Sequence, residues 1–420
     1  MTRPKISDEV PVVVAPNPAA RVRFAFEGGD LTPLIAQALE TISVKLDPAA
    51  LMDLGVLYQL VGQPEDAMVC QQAALRQQRL YRHDRIGAGG GPADPNPRPL
   101  RLLALVCAGD LMTNTPLDLM LEGCGVEVTK LYVGAGGPMP DALPDHDLAM
   151  IAVSESDQTR PLLAQLVGLG TLWPRPMINP ADRIAALSRD RLYKELAGAP
   201  GIVIPPTLRA TREALVAMLV KEQGPETVLG AGATWPIIVR PVGSHAGRGL
   251  EKLDDPAALI AYLSEQPAPA LYVSPYVDYA GADGRFRKYR IALFDGAPYL
   301  AHLAVGDHWM VHYLNADMAG DAGKRREEQG AMESFDADFA RRHADAFRAL
   351  HQRLGLEYFA IDCAELADGS ILVFEADVGM IVHDLDPPDL YPYKKPQMRK
   401  LFDAFEALLR SRTEAGVNQS

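Results

Sequence analysis

The sequence contains little cysteine and no long apolar run. Its four cysteines, Cys70, Cys107, Cys124 and Cys363, stand singly in apolar stretches and lack metal-ligand spacing. Free thiols of this kind are typical of a reducing compartment, so we expect a cytoplasmic protein without a disulfide framework. No run of about 18 apolar residues is present, and residues 1–20 lack the charged and then apolar pattern of an export signal. The sequence therefore predicts neither secretion nor a membrane span.

The chain is also short of positive charge, with 41 basic residues against 54 acidic residues and a formal net charge of -13. Nucleic-acid binding depends on clustered lysine and arginine side chains that neutralise phosphates, so this balance argues against a general nucleic-acid surface. Any polyanion that binds should be small and held locally. The hydrophobic content of 48% and the charged content of 23% are typical of an ordinary globular protein.

The length of 420 residues predicts two to four packed units, at roughly 100–200 residues per domain. In the first unit, helical periodicity covers residues 31–85, with a break at Gly62-Gln63-Pro64 and a second helix over residues 65–81. The spacing of small and large residues in this helical hairpin resembles the tetratricopeptide repeat, in which small residues let paired helices approach closely. An amphipathic hairpin with a chance similarity is the alternative interpretation.

A single repeat cannot bury its own apolar face, and only one such unit is convincing. We therefore expect the hairpin to cap another domain, or to contact a protein partner or a second copy of the chain. Residues 86–99 combine Gly and Pro so densely that neither a helix nor a sheet ladder can continue through them, which predicts a domain boundary. Beyond it, strand-like runs at 102–106, 126–133 and 148–153 and a helix near 116–123 predict a parallel α/β domain.

Near the C-terminus, two strand-like runs at residues 358–363 and 371–377 flank a turn at residues 367–370. They predict an antiparallel hairpin. If those four residues form the loop, the register pairs Leu366 with Ile371. This register determines where three acidic residues of the hairpin lie.

In that register Asp362 lies directly opposite Glu375, and Asp377 follows on the same face by the two-residue period of a strand. Like charges that face each other across a ladder destabilise it, so the arrangement is favourable chiefly when a cation lies between the acids. Oxygen donors without ligand-spaced Cys or His indicate Mg²⁺, with substrate phosphates completing the octahedron. The alternative is an exposed acidic strand face without a metal, although the apolar neighbour Phe374 favours a core strand.

A second motif begins with a strand-like run at residues 235–241 and continues into a glycine-rich segment at residues 242–249. Glycines let the backbone approach a ligand closely, so their N–H groups can surround phosphate oxygens, and Arg240 at the strand end adds positive charge. The segment lacks the spacing of a P-loop. A phosphate-binding loop is one interpretation, and an ordinary turn is the other.

A third segment, residues 281–290, is rich in basic residues and leads into a strand over residues 291–294. The alternation of a strand places Lys288 and Arg290 on one face. Such a cationic pair can bind a γ-phosphate and the charge that develops during phosphoryl transfer. A solvated basic strand edge that discourages aggregation is the alternative.

These three segments, in this order, resemble the ATP-grasp superfamily, most closely its glutathione-synthetase and ribosomal-protein glutamate-ligase branch. The resemblance covers approximately residues 179–410 and is specific as a set, although no single segment is. It implies an α/β and α+β fold, in which a parallel α/β pre-domain is followed by two α+β lobes that hold ATP between them, after a small helical region. The implied boundaries are 1–98 for the helical region and linker, 99–180 for the pre-domain, 181–270 and 271–412 for the two lobes, and 413–420 for a disordered tail.

For individual residues, the resemblance implies roles in binding ATP and in phosphoryl transfer. Arg191 matches a phosphate-contacting position, and Arg240 matches a strand-end lysine near the phosphates. Arg290 matches the arginine that contacts the transferred phosphoryl group, and with Arg240 and Lys288 it forms the expected catalytic set. The metal-binding acids of the family are matched by Asp362, Glu375 and Asp377.

The remaining nucleotide contacts are implied for two further segments. In the family, a mobile loop closes over the phosphates, and a hinge between the lobes recognises adenine through its backbone. Here these segments are matched by Gly243, Ser244, Gly247 and Gly249 in the loop and by Ser274, Tyr276 and Val277 in the hinge.

The sequence departs from the family pattern at four positions. Arginine replaces lysine at Arg191 and Arg240, which keeps the charge but exchanges a compact ammonium for a planar fork. Pro275 stands where an acidic residue is usual, which leaves the backbone as the expected hinge contact. Asp377 replaces the common asparagine, and the added negative charge favours tighter or differently shared magnesium. We expect an altered but functional site.

The activity implied by the resemblance is that of an ADP-forming ligase that uses ATP and Mg²⁺, as one or two ions that Mn²⁺ can replace. A carboxylate attacks the γ-phosphate to give an acyl phosphate, and an amine or thiol then displaces phosphate. The expected partners are a small-molecule or peptide carboxylate and an amine nucleophile, with no nucleic acid and no membrane. Two alternatives stay open: an ATP-grasp phosphotransferase, and an ATP-sensing adaptor whose helical region binds a partner.

Segments that follow the basic strand and the three acids should border the catalytic cleft. His312, Tyr313, Asn315 and His383 can orient a carboxylate or an amine there. A core tyrosine and surface histidines with ordinary partners are the alternative. Neither interpretation selects a substrate.

Overall fold

The computed structural model describes residues 4–83, 98–134, 137–244 and 247–417. Most of the boundary predicted at residues 86–99, and the middle of the predicted phosphate loop, lie outside these ranges. Within the ranges, no helix is both long and apolar enough to cross a membrane. The strands of the described residues form a six-stranded, a five-stranded, a four-stranded and a two-stranded sheet.

Helices dominate the beginning of the chain. The break predicted at Gly62-Gln63-Pro64 separates two helices that pack as a hairpin, and Asp47 begins the first of them by accepting the N–H groups of Ala49 and Ala50. The second helix ends at Gln77 rather than at the predicted residue 81, because the chain turns there into a strand. The helices are α1 (Pro18–Phe26), α2 (Thr32–Val44), α3 (Pro48–Leu60) and α4 (Pro64–Gln77).

The six-stranded sheet confirms the predicted parallel α/β domain. Its central strand, Leu100–Val106, is almost entirely buried, as expected for a strand with covered faces. The helix predicted near residues 116–123 is a single turn, Leu117–Met120. In spatial order the strands are Val13–Ala15, Leu80–His83, Val126–Tyr132, Leu100–Val106, Leu148–Ile151 and Met177–Ile178. The first two are parallel to each other and antiparallel to the other four, which are parallel among themselves.

The helical region is joined to this sheet rather than separate from it. Two of the six strands precede residue 98 in the chain, and α1 to α4 lie between them. Leu51, Met52, Ala74 and Leu75 of α3 and α4 share one apolar core with the sheet. The hairpin therefore covers a neighbouring domain, which is one of the arrangements expected for it, while its likeness to a tetratricopeptide repeat stays a prediction.

The four-stranded sheet has a small apolar core of its own, which includes Leu215, Val239, Leu259 and Leu271. All its neighbouring strands are antiparallel. In spatial order they are Leu208–Thr211, Ala270–Pro275, Ile237–Pro241 and Glu251–Leu253, so the sheet extends five residues beyond the expected lobe boundary at 270. The helices that accompany it are Arg212–Val220, Glu226–Leu229 and Pro256–Glu265.

The five-stranded sheet shares its core with the α/β domain, since Leu103, Ile291 and Phe359 belong to one buried cluster. Its last helix, Lys394–Val417, extends five residues into the stretch expected as a disordered tail. In spatial order its strands are Ala297–Gly306, Phe286–Phe294, Tyr358–Glu365, Ile371–Asp377 and Ile202–Val203. Its longer helices are Ala322–Ser334, Ala344–Leu354 and Lys394–Val417.

Shorter elements connect these units. The two-stranded sheet pairs Lys5–Ile6 with Ala142–Leu143 in parallel. The remaining helices are Arg160–Leu166, Leu169–Leu172, Ala181–Ile184, Ala185–Leu187, Arg189–Leu196 and Phe339–Arg342. Together these elements confirm the predicted fold class, a parallel α/β domain and two α+β lobes preceded by helices.

The two C-terminal strands, Tyr358–Glu365 and Ile371–Asp377, form the predicted antiparallel hairpin, which we call the acidic hairpin. Its predicted pairing of Leu366 with Ile371 is wrong, because Glu365 pairs with Ile371 and the loop is one residue longer. The predicted opposition of Asp362 and Glu375 is nevertheless confirmed. A bulge next to Asp362 places two residues of one strand opposite one residue of the other. This shifts the register by one residue and restores the predicted pairing from Asp362 onward.

Asn179 links the α/β domain to the acidic hairpin, and it generates the first prediction. Its fully buried side chain donates to the Tyr358 carbonyl at 2.9 Å and accepts the Tyr358 N–H at 3.0 Å. We expect Asn179→Ala to lower the free energy of unfolding by about 3 kcal/mol, because two buried backbone groups lose their partners. Urea denaturation measures this loss.

Asn179→Gly provides the control for backbone strain, since Asn179 has a φ of 58°. Glycine adopts this conformation readily, so Asn179→Gly should be about 1 kcal/mol more stable than the alanine variant. It should still be well below the wild type. A glycine variant as stable as the wild type would show that the two hydrogen bonds contribute nothing.

Candidate functional site

Side chains from the four-stranded and five-stranded sheets line one cavity of about 450 Å³. It lies where the strands of both lobes present charged residues next to apolar ones. The four-stranded sheet contributes Ile238, Arg240, Tyr272 and Ser274, and the five-stranded sheet contributes Lys288, Arg290, Asp362 and Glu375. We call this cavity the cleft.

Asp362 is the most deeply buried acid of the cleft and is held by two cations. Arg290 lies directly opposite it on the neighbouring strand and donates from Nε to Oδ1 at 2.8 Å and from Nη2 to Oδ2 at 3.0 Å. Lys288 donates from Nζ to Oδ2 at 2.9 Å. Burial alone would raise the pKa of Asp362, but the charges of Arg290 and Lys288 outweigh it and hold the pKa well below its usual range.

Glu375 is paired with an arginine to which no role was assigned from the sequence. Arg189 donates to Glu375 Oε2 and, at 3.0 Å, to the carbonyl of Phe374. Burial would raise the pKa of Glu375, but the charge of Arg189 outweighs it and lowers the pKa. Arg189 lines the cleft, whereas Arg191 donates to the Ala185 carbonyl at 3.0 Å and is not among the described residues of the lining.

Helix geometry separates these two arginines. Both belong to the helix Arg189–Leu196, and residues two apart point in directions about 200° apart around a helix. Only one of them can therefore face the cleft. The sequence alone requires this separation, but it does not determine which of the two arginines faces the cleft.

Asp377 lies on the same strand face as Glu375 but is directed toward the backbone. Its Oδ1 accepts the Gly379 N–H at 3.1 Å. Burial raises the pKa of Asp377 to about 7, and the nearby carboxylate of Glu375 adds to the effect. Asp377 is not among the described residues that line the cleft.

The three acids predicted to bind a metal, Asp362, Glu375 and Asp377, lie on the two strands of the acidic hairpin. Among the described residues, no group of three or more His, Cys, Asp or Glu side chains is arranged to hold a metal ion. Asp362 lies opposite Glu375, but both its oxygens accept hydrogen bonds from Arg290 and Lys288. Glu375 and Asp377 offer the carboxylate oxygens that Mg²⁺ prefers. A nearby cation would also lower the pKa of Asp377 and so restore its ionised form.

Arg240 anchors the beginning of the glycine-rich segment. It is buried, and its guanidinium donates to the hydroxyl of Ser244 at 3.1 Å and to the Ser244 carbonyl. Burial lowers the pKa of Arg240 to about 9, and the charge of Arg189 acts in the same direction. Gly247 lines the cleft, whereas Gly243, Ser244 and Gly249 are not among the described residues of its lining.

The predicted hinge residues Ser274, Tyr276 and Val277 line the cleft. The Tyr276 N–H donates to the Pro236 carbonyl at 3.1 Å, so this backbone donor is already used. The Tyr276 ring lies 6.0 Å from the ring of Trp309, edge to face. Trp309 also lines the cleft, and an aromatic wall at this position was not predicted from the sequence.

Beyond the cations, histidines line the cleft. His312 and His383 each accept a backbone N–H at Nδ1, from Leu314 and Leu385 respectively, both at 3.2 Å. Burial lowers the pKa of both rings, so they are neutral at pH 7 with the proton on Nε2. Each then presents one hydrogen-bond donor. Asn315 instead donates to the Met310 carbonyl at 3.1 Å and is exposed.

Tyr313 lines the same end and contacts a buried charge cluster that was not predicted. Lys394 lies 2.8 Å from Asp386 and 3.2 Å from Glu328, and Tyr313 accepts from it as well. Tyr393 donates to Glu328 at 2.7 Å. Glu328 and Lys394 are separated by 65 residues in the chain, so local sequence patterns could not have connected them.

No protein-family model matches the sequence, and no curated protein matches it. Solved structures similar to it include a RimK domain protein ATP-grasp from Sphaerobacter thermophilus, with 16% identity and a TM-score of 0.42 over 73% of this chain and 99% of that one. Two D-alanine–D-alanine ligases are also similar. That from Coxiella burnetii has 13% identity and a TM-score of 0.46 over 76% and 98% of the two chains.

The second, from Bacillus anthracis and complexed with ATP, has 14% identity and a TM-score of 0.39 over 75% of this chain and 99% of that one. Likenesses at these identities and TM-scores carry no argument about chemistry. What the cleft can do rests on its own side chains.

The paired charges of Asp362 generate the second prediction. Asp362→Asn leaves Lys288 and Arg290 in a buried site without their counter-charge, so the free energy of unfolding should fall by about 3–5 kcal/mol. Urea denaturation followed by circular dichroism measures the loss.

Glu365→Gln is the matched control, since Glu365 lies on the same strand and pairs with Arg342. That pair is partly exposed, with 43% of the Arg342 side chain accessible. Glu365 also contacts the ring of buried His343 at 3.1 Å, but glutamine keeps an acceptor oxygen for both neighbours, so Glu365→Gln should cost only about 1 kcal/mol. Equal losses in the two variants would mean that burial does not distinguish the two pairs.

Proposed function

We propose that this protein is an ATP-dependent, ADP-forming ligase that joins a carboxylate to an amine, or to a thiol, through an acyl phosphate. The observation that carries the proposal is the charge arrangement of the cleft. Four cations, Arg189, Arg240, Lys288 and Arg290, converge on it from both lobes. A triphosphate is the polyanion that such a set suits in a chain that is otherwise acidic.

The apolar side of the cleft supports a nucleobase. Ile204, Ile238 and Leu372 line it next to the hinge residues Ser274 and Val277. Apolar walls with a few convergent polar groups are typical of nucleotide and cofactor sites. The base would then lie at the hinge, with its phosphates directed toward the four cations.

Arg240, Lys288 and Arg290 would stabilise the charge that spreads over the transferred phosphoryl group. Glu375, which lines the cleft, and Asp377, two residues along the same strand, are the acids that we propose to hold Mg²⁺. Asp362, the third predicted ligand, would have to exchange a hydrogen bond from Lys288 or Arg290 for the ion. A bound Mg²⁺ supplies neutralisation of phosphate oxygens.

A carboxylate and an amine would bind in the part of the cleft that His312 and His383 line. The neutral rings of His312 and His383 offer donors for a carboxylate oxygen, and Tyr313 lies beside them. The carboxylate oxygen then attacks the γ-phosphorus, ADP leaves, and the amine nitrogen displaces phosphate from the acyl carbon. Water has to be excluded from the cleft at this stage, because it would hydrolyse the acyl phosphate.

An isotope experiment tests this reaction and is the third prediction. The protein is incubated with ATP, Mg²⁺ and pools of ¹⁸O-labelled carboxylic acids and amines. Ligation through an acyl phosphate transfers one ¹⁸O to the released phosphate, and mass spectrometry detects both the labelled phosphate and a condensed product. A phosphorylated product without condensation would instead indicate a phosphotransferase, and bound ATP without any turnover would indicate a sensor.

The fourth prediction concerns Glu375. Glu375→Gln removes a proposed Mg²⁺ ligand and the partner of Arg189, so Mg²⁺-dependent ADP formation should fall at least roughly tenfold. Initial rates at several Mg²⁺ concentrations measure the effect. Glu365→Gln, on the neighbouring strand and away from the cleft lining, should leave these rates within about twofold. Unchanged activity of the Glu375 variant would contradict the proposed site.

A further inference from the structure

The segment that follows the acidic hairpin, residues 379–386, borders the cleft; we call it the cleft segment. It forms neither helix nor strand, so its position depends on contacts with other parts of the chain. Its Ile381 carbonyl accepts a hydrogen bond from Arg290 Nη1 at 3.1 Å. Four of its residues, Ile381, Val382, His383 and Asp386, line the cleft.

The α/β domain holds the beginning of the cleft segment. A Cβ atom placed on Gly379 would lie 1.8 Å from Ser154 Oγ and 2.8 Å from the Met112 carbonyl oxygen. Neither distance is compatible with a side chain. The backbone of Gly379 is therefore packed directly against this domain, which leaves the rest of the segment to be held from elsewhere.

Helix α1 holds the remainder through an ion pair. Arg23 Nη2 donates to Asp384 Oδ1 of the cleft segment at 2.8 Å and to Glu122 Oε2 of the α/β domain at 2.6 Å. The side chains of these residues are 31%, 23% and 16% exposed, so the contact is partly shielded from solvent. Because both carboxylates accept from one nitrogen, they lie close together, and without Arg23 they would repel each other.

Apolar and ring contacts accompany this ion pair. Ala19 of α1 is buried in a cluster with Leu385, and Val22 packs against the same cluster together with Ile381. The ring centroid of Phe26 lies 5.9 Å from that of His383. Helix α1 therefore contacts the cleft segment at His383, Asp384 and Leu385, among the residues that line the cleft.

We propose that Arg23, on a helix outside the two lobes, is a positioning residue for the cleft. Through Asp384 it holds the cleft segment in the place where the Ile381 carbonyl fixes Arg290 and His383 faces the cavity. The proposal rests on the proposed function only for its effect on rate. The helical region then contributes to the site itself, besides covering the α/β domain.

A second arginine on the same helix offers a matched control. Arg21 pairs with Asp53 of α3 through two hydrogen bonds of 2.9 Å each. Arg21→Ala weakens the attachment of α1 to the hairpin but removes no contact with the cleft segment. Arg23→Ala removes the contact with Asp384, and Arg23→Lys keeps the charge with a reduced set of donors.

The fifth prediction is tested by amide hydrogen exchange, which needs no substrate. In Arg23→Ala, peptides covering residues 379–386 should exchange about tenfold faster than in the wild type. Asp384→Asn should show the same pattern, and Arg23→Lys should lie in between. In Arg21→Ala the same peptides, and in all variants those covering residues 286–294, should stay within about twofold.

The rate of ADP formation is the second measurement. Arg23→Ala should lower it about tenfold while the KM for ATP changes less than about twofold, because a displaced Ile381 carbonyl loosens Arg290 rather than the nucleotide base. Arg21→Ala should leave both within about twofold.

Three outcomes would overturn the proposal. The first is unchanged exchange at residues 379–386 in Arg23→Ala, and the second is equally accelerated exchange in Arg21→Ala. The third is faster exchange in Arg23→Ala with an unchanged rate of ADP formation. A wild type that forms no ADP under any condition would refute the proposed function alone, since the exchange measurement still decides whether Arg23 holds the segment.

Discussion

The buried carboxylate of Asp362, together with Lys288 and Arg290, is the interaction on which the cleft depends. Removing an ion from water costs several kcal/mol, and a buried pair offsets this cost only when its geometry satisfies the charges. Here the geometry follows from sheet register, since Arg290 lies directly opposite Asp362 and Lys288 lies on the same face two residues away. The pairing of strands in the five-stranded sheet therefore determines where Lys288 and Arg290 lie in the cleft.

The other two cations of the cleft are held by neighbours of their own. Arg189 is held by Glu375, and Arg240 is held by Ser244. Glu375 partly neutralises Arg189, whereas Ser244 orients Arg240 without cancelling its charge. An arriving polyanion meets charges whose directions are already set, and this is the condition under which electrostatic stabilisation of a transition state is most effective.

Much of the fold could be predicted from the sequence because its elements carry strong local signals. The break at Gly62-Gln63-Pro64 and the alternating strands of the α/β domain are of this kind. The strands Val13–Ala15 and Leu80–His83 were missed, since three or four residues are too few to show a period of two. As a consequence, a domain boundary was predicted at residues 86–99, between strands that belong to one sheet.

The candidate site was predictable where strand pairing is local, and less so where it depends on distant contacts. The opposition of Asp362 and Glu375 was correct although the loop was one residue too short, because a bulge compensates for the difference. A bulge leaves no reliable mark in a single sequence. The contacts of Arg189 with Glu375, of Glu328 with Lys394 and of Arg23 with Asp384 join residues far apart in the chain, and only the folded structure brings them together.

The separate core of the four-stranded sheet has a mechanical consequence. Its apolar residues form a cluster distinct from the large core that the five-stranded sheet shares with the α/β domain. A body that carries its own interior can rotate as a unit, because its own apolar cluster stays packed during the rotation. Admission of a ligand to the space between the lobes would then require the rearrangement of polar and rim contacts, at much lower cost than the disruption of packed side chains.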